Sequence, residues 1–543
     1  VTYGSDDLDD ADDTSDGFDD ESRHPRQKWS SKMEFILACI GYAVGLGNVW
    51  RFPYLAYKSG GGAFMVPYLV MLLVCGVPLM YMELAVGQYT RRGPIQALER
   101  LCPFFKGAGF GTVVISFLLC TYYNVIIAWA LFYLFSSFRA KLPWSHCNNT
   151  YNSIWCMDTN EDEEKFVVSD GEGDDAAADE YTYNSTQLGI ESRYVNCTSV
   201  ATSNWTIQTN GNDSSILKNL DENDSLRHLA YPRTPTEDFF LEGVLKISTG
   251  VDDPQAMRWE LVLALFVAWI LVYFSIWKSV KSSGKVVYFT ALFPYVIMVV
   301  FLVSCLNLPG AKAGVWINAA SQIFNSIGIG FGSLIAFASY NQYHNSILKD
   351  TLTVATVNAM TSVLAGVIVF ATLGNLSYEQ GKCIDDIVSD GPGLVFVVYP
   401  QALNKMPLPT LWAMLFFFML LCLGLDSQFA MVEVVITSLT DAYGAWIKKW
   451  LKKHELLVLV VCCLSFLCGL PNVTEGGIYY FQLIDHYAAS VSIMYLTFFE
   501  VIAVCWFYGA GRLARNCLEM TGHLPSLYFQ FCWWFASPLL IAV

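Results

Sequence analysis

Of the 543 residues, 54% are hydrophobic and 15% charged, a balance that excludes an ordinary soluble domain and fits a chain threaded repeatedly through a bilayer. The formal net charge of −16 is local: ten acids lie between Asp6 and Glu21 and twenty-one between Asp158 and Asp253, so the remainder is net basic. No nucleic-acid partner follows from that distribution.

Residues 1–28 are acidic and lack an apolar core, so they read as a disordered cytoplasmic tail and not as a cleavable signal peptide. Residues 29–543 carry eleven apolar segments, at about 32–56, 62–88, 107–137, 259–277, 286–305, 315–340, 351–373, 410–438, 455–470, 477–508 and 526–543. At 1.5 Å per helical residue each spans ~30 Å of hydrocarbon. The last run reaches Val543 while still apolar, so at least one further segment is expected beyond it.

The first segment holds Gly45-Leu46-Gly47-Asn48-Val49-Trp50-Arg51. Two glycines two residues apart weaken a helix, and an amide beside them has no use for lipid. The physical reading is a helix broken near half depth, which is tolerated only where freed backbone is buried or lines a cavity. A second break is expected at Asn325-Ser326-Ile327-Gly328-Ile329-Gly330-Phe331-Gly332. Paired interruptions in two halves of a chain mark the binding site of a secondary transporter.

With the N-terminus inside, Arg91 and Arg92, Lys278, Lys281 and Lys285, Lys349, Lys448, Lys449, Lys452 and Lys453, and Arg512 with Arg515 all fall in inner loops, as the positive-inside rule requires. The large loop 138–258 then lies outside, in the space where glycosylation occurs. It holds sequons at Asn148, Asn184, Asn196, Asn204, Asn212 and Asn223, with Asn375 and Asn472 in later outer loops. Cys147 and Cys156 share that oxidising space with Cys197 and Cys383, so spacing leaves the connectivity open; the near pair is preferred. Asp426 stands out within a long apolar run. A buried carboxylate there must bind a cation or pair with a base, and neighbouring apolar sequence offers no Lys or Arg.

The run Gly45 to Tyr54, then Gly60-Gly61-Gly62-Ala63-Phe64, Pro67-Tyr68, Tyr122-Tyr123-Asn124, Ala338-Ser339-Tyr340-Asn341 and Gly424-Leu425-Asp426-Ser427, resembles the neurotransmitter:sodium symporter family, in its sodium- and chloride-dependent amino-acid branch. The match runs from about Arg26 to the end and is weak only in 138–258. The resemblance implies an all-α polytopic membrane protein of inverted five-helix repeats, with helices 1 and 6 discontinuous. It implies two Na+ sites and one Cl− site.

Mapped residue by residue, the resemblance assigns the first sodium to the Ala43 carbonyl, Asn48, Ser326 and Asn358. The second falls to the Gly41, Val44 and Leu423 carbonyls with Asp426 and Ser427. These are oxygen sets of the kind a hard cation takes. Chloride falls to Tyr68, Gln322, Ser326, Asn358 and Ser362; neutral Ser362 stands where chloride-independent relatives resemble one another in carrying an acid. Glu83 corresponds to a residue that supports the backbone of the broken helices.

For the substrate, the resemblance implies a carboxylate held by the Leu46 and Gly47 N–H groups and the Tyr123 hydroxyl, and an amine near Ala43 and Ser326. The side-chain pocket would take in Leu119, Asn325, Gly328, Phe331, Ser427 and Met431. Gly45 corresponds to the position where monoamine transporters place an Asp. With no fixed anion there, the substrate should be a zwitterionic amino acid or amino-acid-like neurotransmitter. Asn325 departs from the usual aromatic lid.

Arg51 with Asp485, and Arg26 with Asp441, match the outer and inner gate pairs. The implied function is inward sodium-coupled symport at the plasma membrane by alternating access, with lipid bilayer and small zwitterion as partners and oligomerisation not required. Rival readings are a monoamine transporter, or a transport-impaired receptor or channel. No nucleophile–base set or phosphate loop suggests an enzyme.

Overall fold

In hydrocarbon every backbone N–H and C=O must be satisfied within its own segment, and the apolar runs accordingly become helices. A computed structural model describes residues 28–58, 64–153, 156, 233–278, 280–306, 326–380, 393–451 and 453–542. Among these the only β pairing is two isolated bridges. The helices that build the fold are α1 (Lys32–Ala43), α2 (Phe52–Lys58), α3 (Met65–Thr90), α4 (Lys106–Ser136), α5 (Trp259–Ile276) and α6 (Val280–Leu306). Then come α7 (Ser333–Ala338), α8 (Ile347–Gln380), α9 (Pro409–Leu451), α10 (His454–Gly469), α11 (Gly477–His486), α12 (Ile493–Thr521) and the shorter apolar α13 (Leu527–Ala542).

Eight helices among the described residues are long and apolar enough to cross a membrane, nine with α1 and its continuation counted as one bent span. Helical backbone resumes beyond two of the segments expected from sequence, each time across a non-helical residue. Helix α9 runs past 438 to Leu451 with a kink at Tyr443 (φ −127°). Helix α12 breaks at Gly509 (φ 104°), next to the expected end at 508, before Ala510–Thr521. Hydropathy marks where a helix lies in lipid; the helix itself ends where capping and propensity end it.

Helix α9 is the buried centre, with 89% of its best apolar window enclosed against 39% for α5. On α5, Leu263, Phe266, Ile270 and Phe274 are exposed at helical spacing, so that stripe is the lipid face.

Helix α1 starts where Ser31 Oγ accepts the Glu34 N–H (3.2 Å) and ends at Ala43. After Val44, Gly45 and Leu46 the chain resumes through a π turn, Gly47–Arg51, into α2, with a bend of 43°. The break read from the glycines is present.

In the sixth segment, residues 315–325 lie outside the described ones. Residues 328–332 are unwound: Gly328, Gly330 and Gly332 have φ of 76°, 84° and 73°, a region costly for residues with a Cβ. Helix begins again at Ser333.

At the foot of α1, Lys32 Nζ meets the buried Asp350 carboxylate at 3.0 Å, which also accepts Asn345 Nδ2 at 2.6 Å. Because Asp350 is enclosed, removing its cation should cost more than an exposed pair does. We expect Lys32→Met to lower stability by about 2 kcal/mol and Lys32→Arg to restore most of it. Thermal unfolding of the detergent-solubilised protein checks this; equal melting of the Met variant and wild type would refute it.

Cys147 and Cys156 form a disulfide, and Cys156 pairs with Arg233 in a parallel bridge. Fully buried Asp238 accepts the Ser153 N–H at 2.8 Å and faces Arg233 at 3.8 Å. Cys197, Cys383 and the sequons Asn184, Asn196, Asn204, Asn212 and Asn223 lie outside the described residues; Asn148 is exposed. The later sequons do not suit a glycan. Asn375 and Asn472 are buried; Asn375 Oδ1 accepts Lys405 Nζ (3.4 Å), whose pKa burial lowers from its ordinary value.

Candidate functional site

The two unwound stretches face each other against α4 and α9. Between them lies a cavity of about 60 Å³, small beside the usual small-molecule site. Ala43, Gly45, Gly47, Leu119, Tyr123, Ser326, Phe331, Ser427 and Met431 line it. Asn48, Tyr42, Trp50, Ile126 and Tyr122 complete the wall, with Arg51 and Asp485 at one end. Leu46 turns its N–H to the Tyr123 hydroxyl at 3.2 Å.

Gly45 is where the broken helix passes closest to α9. A Cβ there would collide with Ser427 Oγ and stand 3.1 Å from the Tyr123 hydroxyl. Gly328, which the resemblance puts in the side-chain pocket, is not among the residues lining this cavity; the space beside it is filled by the Tyr42 ring, whose hydroxyl donates to the Gly328 carbonyl (3.1 Å). Asn325 lies outside the described residues.

Four polar side chains converge beside the cavity. Asn48 Nδ2 donates to Asn358 Oδ1 (2.7 Å) and Ser362 Oγ (3.0 Å). Ser326 Oγ lies 3.3 Å from Asn48 Oδ1 and 3.1 Å from Asn358 Oδ1. All four residues are buried, so neutral oxygens are gathered at one point by three elements distant in sequence. Next to them the fully buried Tyr68 hydroxyl lies within reach of Ser362, with no well-formed hydrogen bond among the described residues. A buried O–H without an acceptor is a group an anion can satisfy. Gln322 lies outside the described residues.

On the other side of α1, Asp426 is buried and pairs with no Lys or Arg among the described residues. Its partner is Thr290 on α6, whose hydroxyl donates at 2.5 Å. Gly41 lets α1 abut this carboxylate: a Cβ would stand 2.6 Å from Asp426 Oδ2. Ser427 Oγ reaches the Tyr42 carbonyl (3.3 Å) and the Leu423 carbonyl (3.5 Å). Val44 follows at the end of α1, buried. Thr290 was not singled out from sequence; its signal was a hydroxyl inside an apolar segment.

Arg51 and Asp485 form an ion pair at 3.2 Å, and the Tyr122 hydroxyl donates to the same carboxylate at 2.9 Å. At the opposite end, the Asp441 carboxylate accepts the Gly93 N–H at 2.7 Å; Arg26 lies outside the described residues. Trp29 closes that side, its indole N–H on the Phe337 carbonyl (3.1 Å). Glu83 accepts the Gly330 N–H at 2.8 Å, the backbone-supporting position the sequence implied.

A family model described as sodium:neurotransmitter symporter family matches residues 26–209 and 176–543. A Drosophila melanogaster protein named as a sodium- and chloride-dependent GABA transporter is 50% identical over 95% of this chain and half of its own length. The mouse sodium- and chloride-dependent GABA transporter 2 is 41% identical, over 94% of this chain and 78% of its own. A human sodium- and chloride-dependent taurine transporter is 40% identical, over 95% and 77% respectively. The chain thus spans half the length of the first relative and over three quarters of the others. With two interrupted helices enclosing a cavity and a family match that runs from residue 26 to its end, this chain belongs to the sodium:neurotransmitter symporter family.

Proposed function

We propose that this protein is a secondary active symporter that couples the sodium gradient, with chloride, to uptake of a small zwitterion of the GABA or taurine kind. The observation that carries the substrate class is the cavity's charge. Among its lining residues only Arg51 and Asp485 are charged, and they pair with each other. An amine without its own carboxylate finds no counter-ion at Gly45, whereas a zwitterion brings one. Its carboxylate has the Tyr123 hydroxyl as a donor, beside the start of the resumed helix, where backbone N–H groups favour negative charge.

Sodium is cargo in this reading. Asn48, Ser326 and Asn358 with the Ala43 carbonyl would take one ion, and Asp426, Ser427 and the Gly41, Val44 and Leu423 carbonyls a second; the oxygen chemistry suits Na+. Chloride would sit against Tyr68, Ser326, Asn358 and Ser362, with Gln322. The Arg51–Asp485 pair at one end, and Asp441 with Arg26 and Trp29 at the other, would open in turn. Pairs of this kind are individually weak, which suits a reversible latch between nearly balanced states. The basic loops support an orientation with the N-terminus inside.

The test is uptake of labelled GABA, taurine, glycine and dopamine by cells expressing the protein. Saturable GABA or taurine uptake, lost with choline for sodium and reduced with gluconate for chloride, is expected. Dopamine uptake without amino-acid uptake, or large currents without accumulation, would overturn the reading.

A further inference from the structure

A second polar cluster lies away from the cavity, behind the unwound stretch. Glu83 on α3 and Glu500 on α12 are both fully buried and close enough to act on one another electrostatically. Their helices touch here, with Cys505 Sγ 3.5 Å from Met82 Sδ. Gly330 joins the two: its N–H donates to Glu83 Oε1 (2.8 Å), and a Cβ on it would collide with Thr497 Oγ1, one turn before Glu500. Glu83 Oε2, both Glu500 oxygens and Thr497 Oγ1 are enclosed without a hydrogen-bond partner among the described residues. The other titratable groups acting on the pair among the described residues are the Tyr42 hydroxyl and the Cys505 thiol, both uncharged at neutral pH. No Lys, Arg or His ion-pairs with either acid among those residues.

Two neighbouring carboxylates out of reach of water and of any cation cannot both be ionised. We infer that Glu83 and Glu500 form a proton-binding site in which Glu500 is the neutral acid, donating its proton toward the ionised Glu83. The assignment to Glu500 follows from the hydrogen bonds. Glu83 receives a backbone N–H, which favours its charged form, whereas Glu500 has no donor to stabilise a charge. Because the same Glu83 carboxylate anchors Gly330, the proton decides whether the unwound stretch is held. Raising the pH strips it and leaves two facing anions, whose repulsion loads the Glu83 carboxylate that holds the Gly330 N–H.

Infrared spectra of the purified protein in saturating sodium test this. Wild type should show a protonated-carboxyl carbonyl band at neutral pH that converts to carboxylate at alkaline pH. Glu500→Gln should lose the band, because its amide takes over as donor to Glu83. Glu83→Gln should keep it, since a lone enclosed Glu500 stays neutral. Absence of the band in wild type, or its survival in Glu500→Gln, would overturn the assignment, and the wild-type arm stands even if neither variant folds. Uptake that declines with alkaline pH in wild type and is flat in Glu500→Gln would establish the coupling; a parallel decline in both, or an inactive Glu500→Gln at the cell surface, would refute it.

Discussion

Sodium affinity should fall by at least about 100-fold in an Asp426→Asn variant that still folds, and sodium-driven uptake should fall to background. The magnitude is that of removing one charged partner from an enclosed ionic pair, about 3–5 kcal/mol. The substitution is chosen because its packing effect is small. Asn has nearly the same shape, fits against Gly41 as the carboxylate does, and its oxygen still accepts the Thr290 hydroxyl. What disappears is the negative charge. Asp426 has no Lys or Arg partner among the described residues, and an uncompensated carboxylate at that depth is expensive, so a cation is the partner that explains it. Binding of radioactive sodium to purified protein, with melting temperature as a fold control, is the measurement. Unchanged sodium affinity in a well-folded variant would remove Asp426 from the sodium site.

Gly45→Ala should reduce uptake efficiency by about 10- to 100-fold, through the affinity for substrate. One added methyl must displace Ser427 Oγ and press on the Tyr123 hydroxyl. Overpacking of this kind costs about 1–3 kcal/mol. Tyr123 also holds the Leu46 N–H, so the displacement disturbs the end of the cavity proposed for the carboxylate. Uptake kinetics in surface-matched cells would show a raised KM. An unaltered KM for the alanine variant would mean that the substrate does not approach this face.

Much of the fold was readable because the bilayer imposes so simple a rule: length and hydropathy locate the spans, and glycines locate the breaks. The bend after Ala43 and the positive φ at Gly328, Gly330 and Gly332 lie where Gly-Leu-Gly-Asn and Gly-Ile-Gly-Phe-Gly placed them. What a glycine faces was not readable. Gly45 abuts a serine in the cavity, while Gly328 is filled by Tyr42, and nothing in the local sequence separates the two. Partners were equally hidden. Glu500 carries the same one-dimensional signal as Asp426, a lone acid in an apolar run. Its meaning depends on Glu83, which only the packing of α12 on α3 supplies. Thr290 was invisible for the same reason, being one hydroxyl among several on α6 until α9 brings Asp426 to it.

The stapled junction at Cys156 and Arg233 fixes where the chain between them departs and returns. The strand that leaves at Cys156 comes back beside it, and the disulfide, Ser153 and Asp238 fix that doorway from the near side. Closure of a longer loop between fixed ends costs only ~0.6 kcal/mol per doubling of its length. Lengthening the chain between those two fixed ends should therefore cost the junction little, seen as an unchanged melting temperature.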